Sequence, residues 1–229
     1  MKVKLISYSQ HAIDPNLQDK VEHDIQLSTA QDLVAYCARV SNPANQSNTE
    51  TSEKLIRYLI KHKHWSPLEM VSACLEIETT RDIARQFLRH RSFSFQEFSQ
   101  RYADPTQELN FVLRKARLQD KSNRQNSIET NDEKLQSNWN YHQRRVITTA
   151  KEAYAWAIEN GIAKEQARAV LPEGNTVSRL YVNGTLRSWV HYVELRSANG
   201  TQLEHIEIAR ACADVISKVF PMISDFVDK

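Results

Sequence analysis

One segment in the middle of the chain changes its hydrophobic period twice, and this constrains the fold more than any other feature. VSACLEIETT (71–80) alternates apolar and polar residues, which is typical of a half-buried strand. RDIARQFLRHR (81–91) follows at once with apolar residues at helical spacing. Beyond it Glu97, Ser99 and Arg101 are spaced by two, so an extended backbone would point them to one side. A strand, a helix and a second extended segment in direct succession indicate a mixed fold.

The rest of the chain continues this mixture of strands and helices. Capping-box pairs Ser28/Gln31 and Ser47/Glu50 predict the starts of two helices, and Gly161 predicts the end of a long one. Strands are predicted at 2–8, 108–120 and 176–184, and helices at 28–39, 47–60, 133–160, 163–172, 185–196 and 202–220. The polar segment 121–132 predicts a mobile surface excursion. These elements predict an α/β (α+β) fold.

Composition excludes several classes of function. A formal net charge of +2 argues against a protein dedicated to coating DNA or RNA. With 4 glycines, the chain has no GxGxxG or Walker-type phosphate loop, so phosphates would be held by arginines, hydroxyls and helix N-termini. The 3 cysteines are too far apart for a zinc site or disulfide framework, and no metal site is predicted. No leader or apolar run indicates a membrane, and we expect a cytoplasmic protein.

The stretch RHRSFSFQEFSQRY (89–102) concentrates the polar chemistry of the chain. Its arginines and Ser99 suit a phosphate cradle, because guanidinium groups stay charged and donate in pairs. The alternative is that these arginines form ordinary ion pairs with surface carboxylates. Ser99 lacks a GxSxG elbow, so a binding hydroxyl is favoured over a nucleophile. His90 could exchange protons near neutral pH, or only stack and hydrogen-bond.

Three side chains of the predicted helix 81–91 fall on one face, namely Gln86, Arg89 and His90. This arrangement would aim an amide, a guanidinium and an imidazole at a common point. Arg168 and Arg196 are further candidates, although spacing alone does not distinguish them from structural arginines.

The stretch 89–102 resembles the RHRxxSxNExSxRY signature of the flavin-dependent thymidylate synthases. The single departure is Gln96, which replaces asparagine and keeps the amide on a longer side chain. HWSPLEM (64–70) is similar to the family's H-x-[ST]-P-x-E turn, and similarity continues through ARAVLP, VNG, RSWVHYVELR and QLEHIEIA. The resemblance therefore extends over most of the chain from about residue 60.

This resemblance implies an enzyme that makes dTMP from dUMP. The methylene group would come from 5,10-methylenetetrahydrofolate, and NADPH would supply reducing equivalents through FAD. It also implies a homotetramer whose subunits share active sites, with no nucleic-acid or membrane partner. We expect one domain over 1–229, built on a central, mostly antiparallel twisted sheet flanked by helices, with a helical annex.

The resemblance also assigns site residues by position. Contacts to FAD are implied for Ser66, Glu69, Arg89, His90, Arg91, Glu97, Asn183, Arg187 and His191. Contacts to dUMP are implied for Gln86, Arg89, Glu97, Phe98, Ser99, Gln100, Arg101, Arg168 and Arg196. Arg196 is the implied catalytic residue: a permanent cation there would favour ionisation at uracil N3, without a covalent enzyme nucleophile.

Two other readings stay open at this point. A related enzyme could keep flavin and nucleotide binding but act on a different pyrimidine nucleotide. A non-catalytic nucleotide- or RNA-binding module could use the same arginine cluster. Bound flavin would distinguish the enzyme hypotheses from the hypothesis of a non-catalytic binding module.

Overall fold

A computed structural model describes residues 1–11 and 27–227 of the chain. The strands are β1 (Lys2–Tyr8), β2 (Ser72–Thr80), β3 (Ser94–Glu97), β4 (Arg117–Gln119), β5 (Ser127–Glu129) and β6 (Val177–Thr185). The helices are α1 (Ala30–Ala38), α2 (Ser52–Lys61), α3 (Arg81–Phe87), α4 (Pro105–Glu108), α5 (Glu133–Glu159), α6 (Lys164–Ala167), α7 (Leu186–Ser197) and α8 (Leu203–Ile216). Short 3₁₀ turns lie at Pro43–Asn45, Ser66–Glu69, Arg168–Val170 and Pro221–Phe226.

The central sheet has four strands in the order β1-β2-β6-β3, and every neighbouring pair is antiparallel. Alternate residues of β2 are buried, as the period of two predicted. They pack with α3, α7 and α8 in one hydrophobic core that includes Phe87, Trp189 and Tyr192. The indole N–H of Trp189 donates to the carbonyl of Ala73 at 3.0 Å, which ties α7 to β2. The predicted α/β (α+β) fold with a mostly antiparallel sheet flanked by helices is confirmed.

The other face of the sheet carries charge. Lys4 and the hydroxyl of Tyr181 both bond to Glu76, and Arg179 pairs with Glu78. The helix α5 and the short α6 form a separate annex, where a smaller cluster centres on Tyr154 and Leu171. No helix among the described residues is long and apolar enough to cross a bilayer.

The predicted strand 108–120 is wrong over most of its length. Residues 110–112 pair with the backbone of residues 175–177 through an isolated bridge, and beyond them the backbone bonds to side chains of α5. Gln143 accepts from the N–H of Arg114 at 2.8 Å and donates to its carbonyl at 2.9 Å. Gln136 does the same for Ala116. Glutamine amides thus replace a neighbouring strand at Arg114 and Ala116, and residues 117–119 pair as β4.

The segment 121–132 also contains more regular secondary structure than predicted. Its second half forms β5, which pairs antiparallel with β4 in a hairpin (117–129). Asp120 accepts from the backbone N–H of Ser122 and of Asn123, which closes the turn. The polar composition reflects a solvated hairpin and not an irregular excursion.

Both predicted helix caps are misplaced. Thr29 caps α1 in a reciprocal capping box with Asp32, while Ser28 only donates to that carboxylate. The cap of α2 is at Thr51 and has no side-chain hydrogen bond, so the Ser47/Glu50 prediction is wrong. Sequence spacing shows where capping is chemically possible, but the entry angle of the chain selects among neighbouring hydroxyls.

Several helices are shorter than predicted. The helix predicted at 81–91 ends at Phe87, that at 163–172 becomes 3₁₀ after Ala167, and that at 202–220 ends at Ile216. Gly161 follows α5 with φ of 75°, so the predicted stop is confirmed. These boundaries matter because the residues just after α3 carry the candidate site.

Candidate active site

The turn before β2 and the first half of α7 bring together one group of predicted residues. Pro67 starts the 3₁₀ turn Ser66–Glu69, which follows α2 and exposes Ser66. Glu69 forms an ion pair with Arg187, both about 40% exposed. One turn further along α7, the ring of His191 lies 4.5 Å from that of Trp65. Burial and the nearby Arg187 cation lower the pKa of His191, against the opposing effect of Glu194.

A second group centres on His90, just beyond the end of α3. The Nε of Arg196 donates to Nε2 of His90 at 2.9 Å. Because Nε2 accepts, His90 must be neutral and carry its proton on Nδ1. Burial, and then the Arg196 cation, lower the pKa of His90 to about 4, so it stays neutral at physiological pH. Arg196 is thus anchored by a neutral group and keeps its full positive charge.

Aromatic packing fixes the position of His90. Its ring meets Tyr192 edge-on at 5.2 Å and Phe93 at 6.4 Å. Phe93 in turn lies against Gly184, where an added Cβ would come within 2.3 Å of the phenyl ring. The glycine of VNG is therefore required for close packing of strand and ring, not for backbone freedom.

Gln86 is held inside a polar chain. Its Oε1 lies 3.1 Å from Nδ1 of His205, and its Nε2 donates to Oε1 of Gln202 at 2.9 Å. The Nε2 of His205 lies 3.1 Å from the hydroxyl of Tyr192. His205 is completely buried, and its pKa is lowered to about 3 by burial first, then by the Arg196 cation, and then by His90, which becomes charged only in acid. The sequence placed Gln86, Arg89 and His90 on one face, but Arg89 is exposed and does not join the other two.

A third group lies at the opposite end of α3. Arg81 starts this helix, is 7% exposed and lies 3.5 Å from the carboxylate of Glu97. Ser178 on β6 donates to the same carboxylate at 2.8 Å. Glu97 is therefore oriented from two sides at the end of β3. Phe98 continues the chain, with its N–H donating to the carbonyl of Arg179.

An extended backbone was predicted through Glu97, Ser99 and Arg101, but the strand ends at Glu97. The chain turns after Phe98, and the N–H groups of Tyr102 and Ala103 donate to the carbonyl of Ser99. A turn places Ser99 and Arg101 by its own geometry, and the period of two no longer applies. Within this turn Gln100 is 3% exposed, and its Nε2 has no acceptor among the described residues.

The remaining predicted residues lie on other elements. Asn183 is exposed on β6, on the charged side of the sheet, with Cys74 and Ser94 as register partners. Arg168 begins the 3₁₀ turn after α6, and its Nε donates to the carbonyl of Glu165. Its charge is the smallest of several influences on the pKa of Arg81, which burial lowers first.

Five of the predicted arginines form no salt bridge with any carboxylate among the described residues. They are Arg89, Arg91, Arg101, Arg168 and Arg196, whereas every salt bridge found there involves other cations. The alternative of ordinary surface ion pairs therefore does not describe these residues. Uncompensated guanidinium groups fit phosphorylated or otherwise anionic ligands.

Several residues of the site were not predicted. His205 and Tyr192 hold Gln86 and His90, and Arg81 and Ser178 orient Glu97. The signal for His205 was its place in QLEHIEIA, between residues whose apolar spacing already predicted a buried helix face. A histidine on such a face needs polar partners, and only the folded chain shows which ones it has.

The fold and the uncompensated cations define a mixed α/β protein with a site suited to phosphorylated ligands. The sequence profile of the thymidylate synthase complementing proteins matches residues 24–222. A probable flavin-dependent thymidylate synthase of Paramecium bursaria Chlorella virus 1 is 46% identical over 228 residues, covering 100% of this chain and 99% of the relative. A flavin-dependent thymidylate synthase of Synechocystis sp. is 49% identical over 192 residues, with 84% and 86% covered.

Among solved structures, a UMP/dUMP methylase, PolB, from Streptomyces cacaoi, crystallised with 5-Br dUMP, is similar in fold. Its TM-score is 0.76 at 24% identity, covering 98% of this chain and 93% of that one. The chain belongs to the flavin-dependent thymidylate synthase family, and the resemblance seen in the sequence is confirmed.

Proposed function

We propose that this chain converts dUMP to dTMP as a FAD-dependent thymidylate synthase. The carbon would come from 5,10-methylenetetrahydrofolate and the reducing equivalents from NADPH. Family membership and relatives at 46% and 49% identity that carry this name support the proposal. The exposed, unpaired arginines of the signature support a phosphorylated substrate.

The observation that most directly supports this chemistry is the hydrogen bond between Arg196 and His90. A carboxylate partner would neutralise Arg196, but a neutral imidazole acceptor orients it and leaves its charge intact. A permanent cation beside a uracil ring lowers the cost of the anion that forms when N3 loses its proton. Arg196 can therefore activate the pyrimidine without a covalent enzyme nucleophile.

The residues fit a flavin cofactor. Arg89 and Arg91 have no carboxylate partner among the described residues and suit a pyrophosphate. The Glu69–Arg187 pair and the tilted contact between the rings of Trp65 and His191 form a partly exposed polar and aromatic surface. With Ser66, Asn183, His90 and Glu97, these residues would hold FAD. When bound, FAD supplies the reducing chemistry.

The nucleotide phosphate is assigned to the turn after β3. Arg101 and Arg168 are free of carboxylates, and Ser99 offers a hydroxyl in the same turn as Arg101. Phe98 and Gln100 would line this turn, the buried Gln100 through its backbone. Gln86, Arg89, Glu97 and Arg196 would complete the dUMP site.

We propose a homotetramer with shared sites, and two observations support it. The first is a separation of two groups along α3: Arg81 and Glu97 lie toward its start, whereas Gln86 and Arg196 lie toward its end. One turn of helix rises about 5.4 Å, which sets the scale of this separation. A second subunit could bring the two groups to one ligand. The long helix α5 also exposes Trp139 and Trp156, at 42% and 61%.

Complementation tests this sharing. Arg196→Ala and Glu97→Ala each remove a residue from one of the two groups, so each homotetramer would be inactive. Mixing both variants under subunit-exchange conditions should restore dTMP formation, because some sites would receive both intact groups. Sites contained within one subunit would stay inactive after mixing.

A cytoplasmic location fits the same proposal. Cys37, Cys74 and Cys212 are all free thiols, as is usual in reducing compartments.

The decisive experiment is incubation of the flavin-loaded protein with dUMP, methylenetetrahydrofolate and NADPH, followed by chromatography of the nucleotides. We expect dTMP, and none when the folate is omitted. Product from UMP but not from dUMP would favour the related enzyme on another pyrimidine nucleotide. A protein that stays colourless with added FAD and forms no product would favour the non-catalytic nucleotide- or RNA-binding module.

A further inference from the structure

The polar hairpin (117–129) is connected to the candidate nucleotide site by an ion pair. Arg117, at the base of the hairpin, donates to both carboxylate oxygens of Glu204 at 2.7 and 2.9 Å. Both side chains are largely buried, at 17% and 13% exposure. Arg117 also donates to Ser127 across the hairpin at 2.8 Å, which fixes the guanidinium on both sides. The hairpin is therefore docked on the start of α8 through a charge-assisted contact, in which one Nη atom of Arg117 reaches both carboxylate oxygens.

From Glu204 a hydrogen-bond chain continues to Gln86. The Nε2 of Gln202 donates to Glu204 at 2.9 Å, and its Oε1 accepts from Nε2 of Gln86 at 2.9 Å. Gln86 then meets His205, which meets Tyr192, each at 3.1 Å. Every member is at least half-buried, so few water molecules can substitute for a lost partner.

The carboxylate at one end sets the direction of every bond in this chain. An ionised carboxylate only accepts, so the NH₂ group of Gln202 must face Glu204 and its oxygen must face Gln86. The NH₂ group of Gln86 then faces Gln202, and its oxygen faces Nδ1 of His205. His205 must therefore carry its proton on Nδ1, and its Nε2 accepts from Tyr192. Reversing Gln202 would set its NH₂ group against that of Gln86, and reversing Gln86 would set its oxygen against that of Gln202.

Glu204 is held ionised. Burial alone would raise its pKa, but its own backbone N–H, Arg117 and Gln202 all bond to the charged form and lower the pKa overall. Loss of Arg117 would remove a cation that lowers this pKa both by its hydrogen bonds and by its charge.

We propose that Arg117 is a positioning residue for nucleotide binding, which acts through Glu204 and Gln202 to fix the side of the Gln86 amide that faces the substrate. This inference rests on the proposed function, because it needs Gln86 to contact dUMP. With one N–H and one oxygen lone pair engaged internally, Gln86 keeps one donor and one acceptor for a ligand, and both have fixed positions. The hairpin thereby supports the nucleotide site without touching the substrate.

The test uses the FAD-loaded full-length protein and measures the dissociation constant of dUMP by calorimetry. Arg117→Ala should weaken dUMP binding on the order of tenfold, within the range of coupling seen inside one hydrogen-bond network. KM for dUMP should rise in step, while kcat and bound FAD stay close to the wild type. Arg124→Ala, which removes a cation from the exposed turn of the same hairpin, is the matched control and should change nothing.

A second variant guards against misfolding of the first. Arg117→Ala leaves the largely buried carboxylate of Glu204 without its cation, which could destabilise the fold. Gln202→Leu interrupts the same chain without leaving a charge, and should weaken dUMP binding to a similar degree.

A double-mutant cycle separates positioning from a general structural effect. In a Gln86→Ala background, Arg117→Ala should weaken dUMP binding no further. An unchanged tenfold effect in that background would overturn the proposal, as would wild-type affinity in both Arg117→Ala and Gln202→Leu. If the wild type itself does not bind dUMP, the proposed function fails, and this inference fails with it.

Discussion

His205 should make the folded chain sensitive to acid. The side chain is completely buried, and its two ring nitrogens are occupied by Gln86 and Tyr192. Its pKa is about 3 in the folded protein, whereas a histidine in an unfolded chain titrates near ~6.5. Because the folded pKa is depressed, the neutral imidazole stabilises the fold fully above the unfolded pKa. That stabilisation is lost as the pH falls toward 3.

The size of the effect follows from the same values. Between pH 7 and pH 5 the folded histidine stays neutral, while the unfolded one takes up a proton. The free energy of unfolding should therefore fall by about 2 kcal/mol over this interval on account of this residue alone. This loss between pH 7 and pH 5 depends on the pKa of His205 in the unfolded chain, and it requires only that the pKa in the folded protein lie below about 4.

The assay is guanidinium unfolding at several pH values between 5 and 8, at one protein concentration, for the wild type and His205→Gln. Glutamine keeps a donor and an acceptor but does not titrate, so the wild type should lose about 2 kcal/mol more than the variant between pH 7 and pH 5. The contribution of His90 is present in both proteins and cancels. His142→Gln, at an exposed position of α5, is the control and should follow the wild type. Parallel pH dependences for wild type and His205→Gln would refute the reasoning.

Three further outcomes are expected. Arg196→Ala should abolish dTMP formation, measured by chromatography, while flavin absorbance shows FAD still bound; loss of the flavin would mean that the role is misassigned. Gln96→Asn should change kcat/KM less than about twofold, because an exposed strand residue gains nothing from a shorter amide; a large gain in activity would contradict this. Gly184→Ala should destabilise the fold by about 1–3 kcal/mol in a denaturant titration, because its methyl group would overlap the Phe93 ring; unchanged stability would show that strand and ring can separate freely.

Periodicity predicted the sheet well where one face of a strand is buried. β2 and β6 lie where the alternation placed them, because the buried face needs an apolar residue at every second position. The failure at 108–120 has a physical cause: backbone groups accept amide side chains as readily as another strand, and Gln136 and Gln143 come from a helix distant in sequence. Local pattern carries no information about such partners.

In the candidate site, too, the local pattern predicted some features and contacts between distant residues decided others. The signature singled out His90 and the arginines as candidates, and the extended spacing failed beyond Glu97, where the chain turns. Burial decides the state of His90, and a residue on another helix decides its partner. Neither the burial of His90 nor the identity of its partner can be read from the order of residues.

The sequence by itself determined the family, the strand–helix–strand centre of the fold and the types of group that would meet an anionic ligand. These follow from residue identity and short spacing, which local geometry translates directly. Only the tertiary structure decided that Arg196 rests on a neutral histidine, that His205 orients Gln86, and that the hairpin reaches that glutamine through Glu204. Such contacts join residues far apart in the chain, and their strength depends on burial, which exists only after folding.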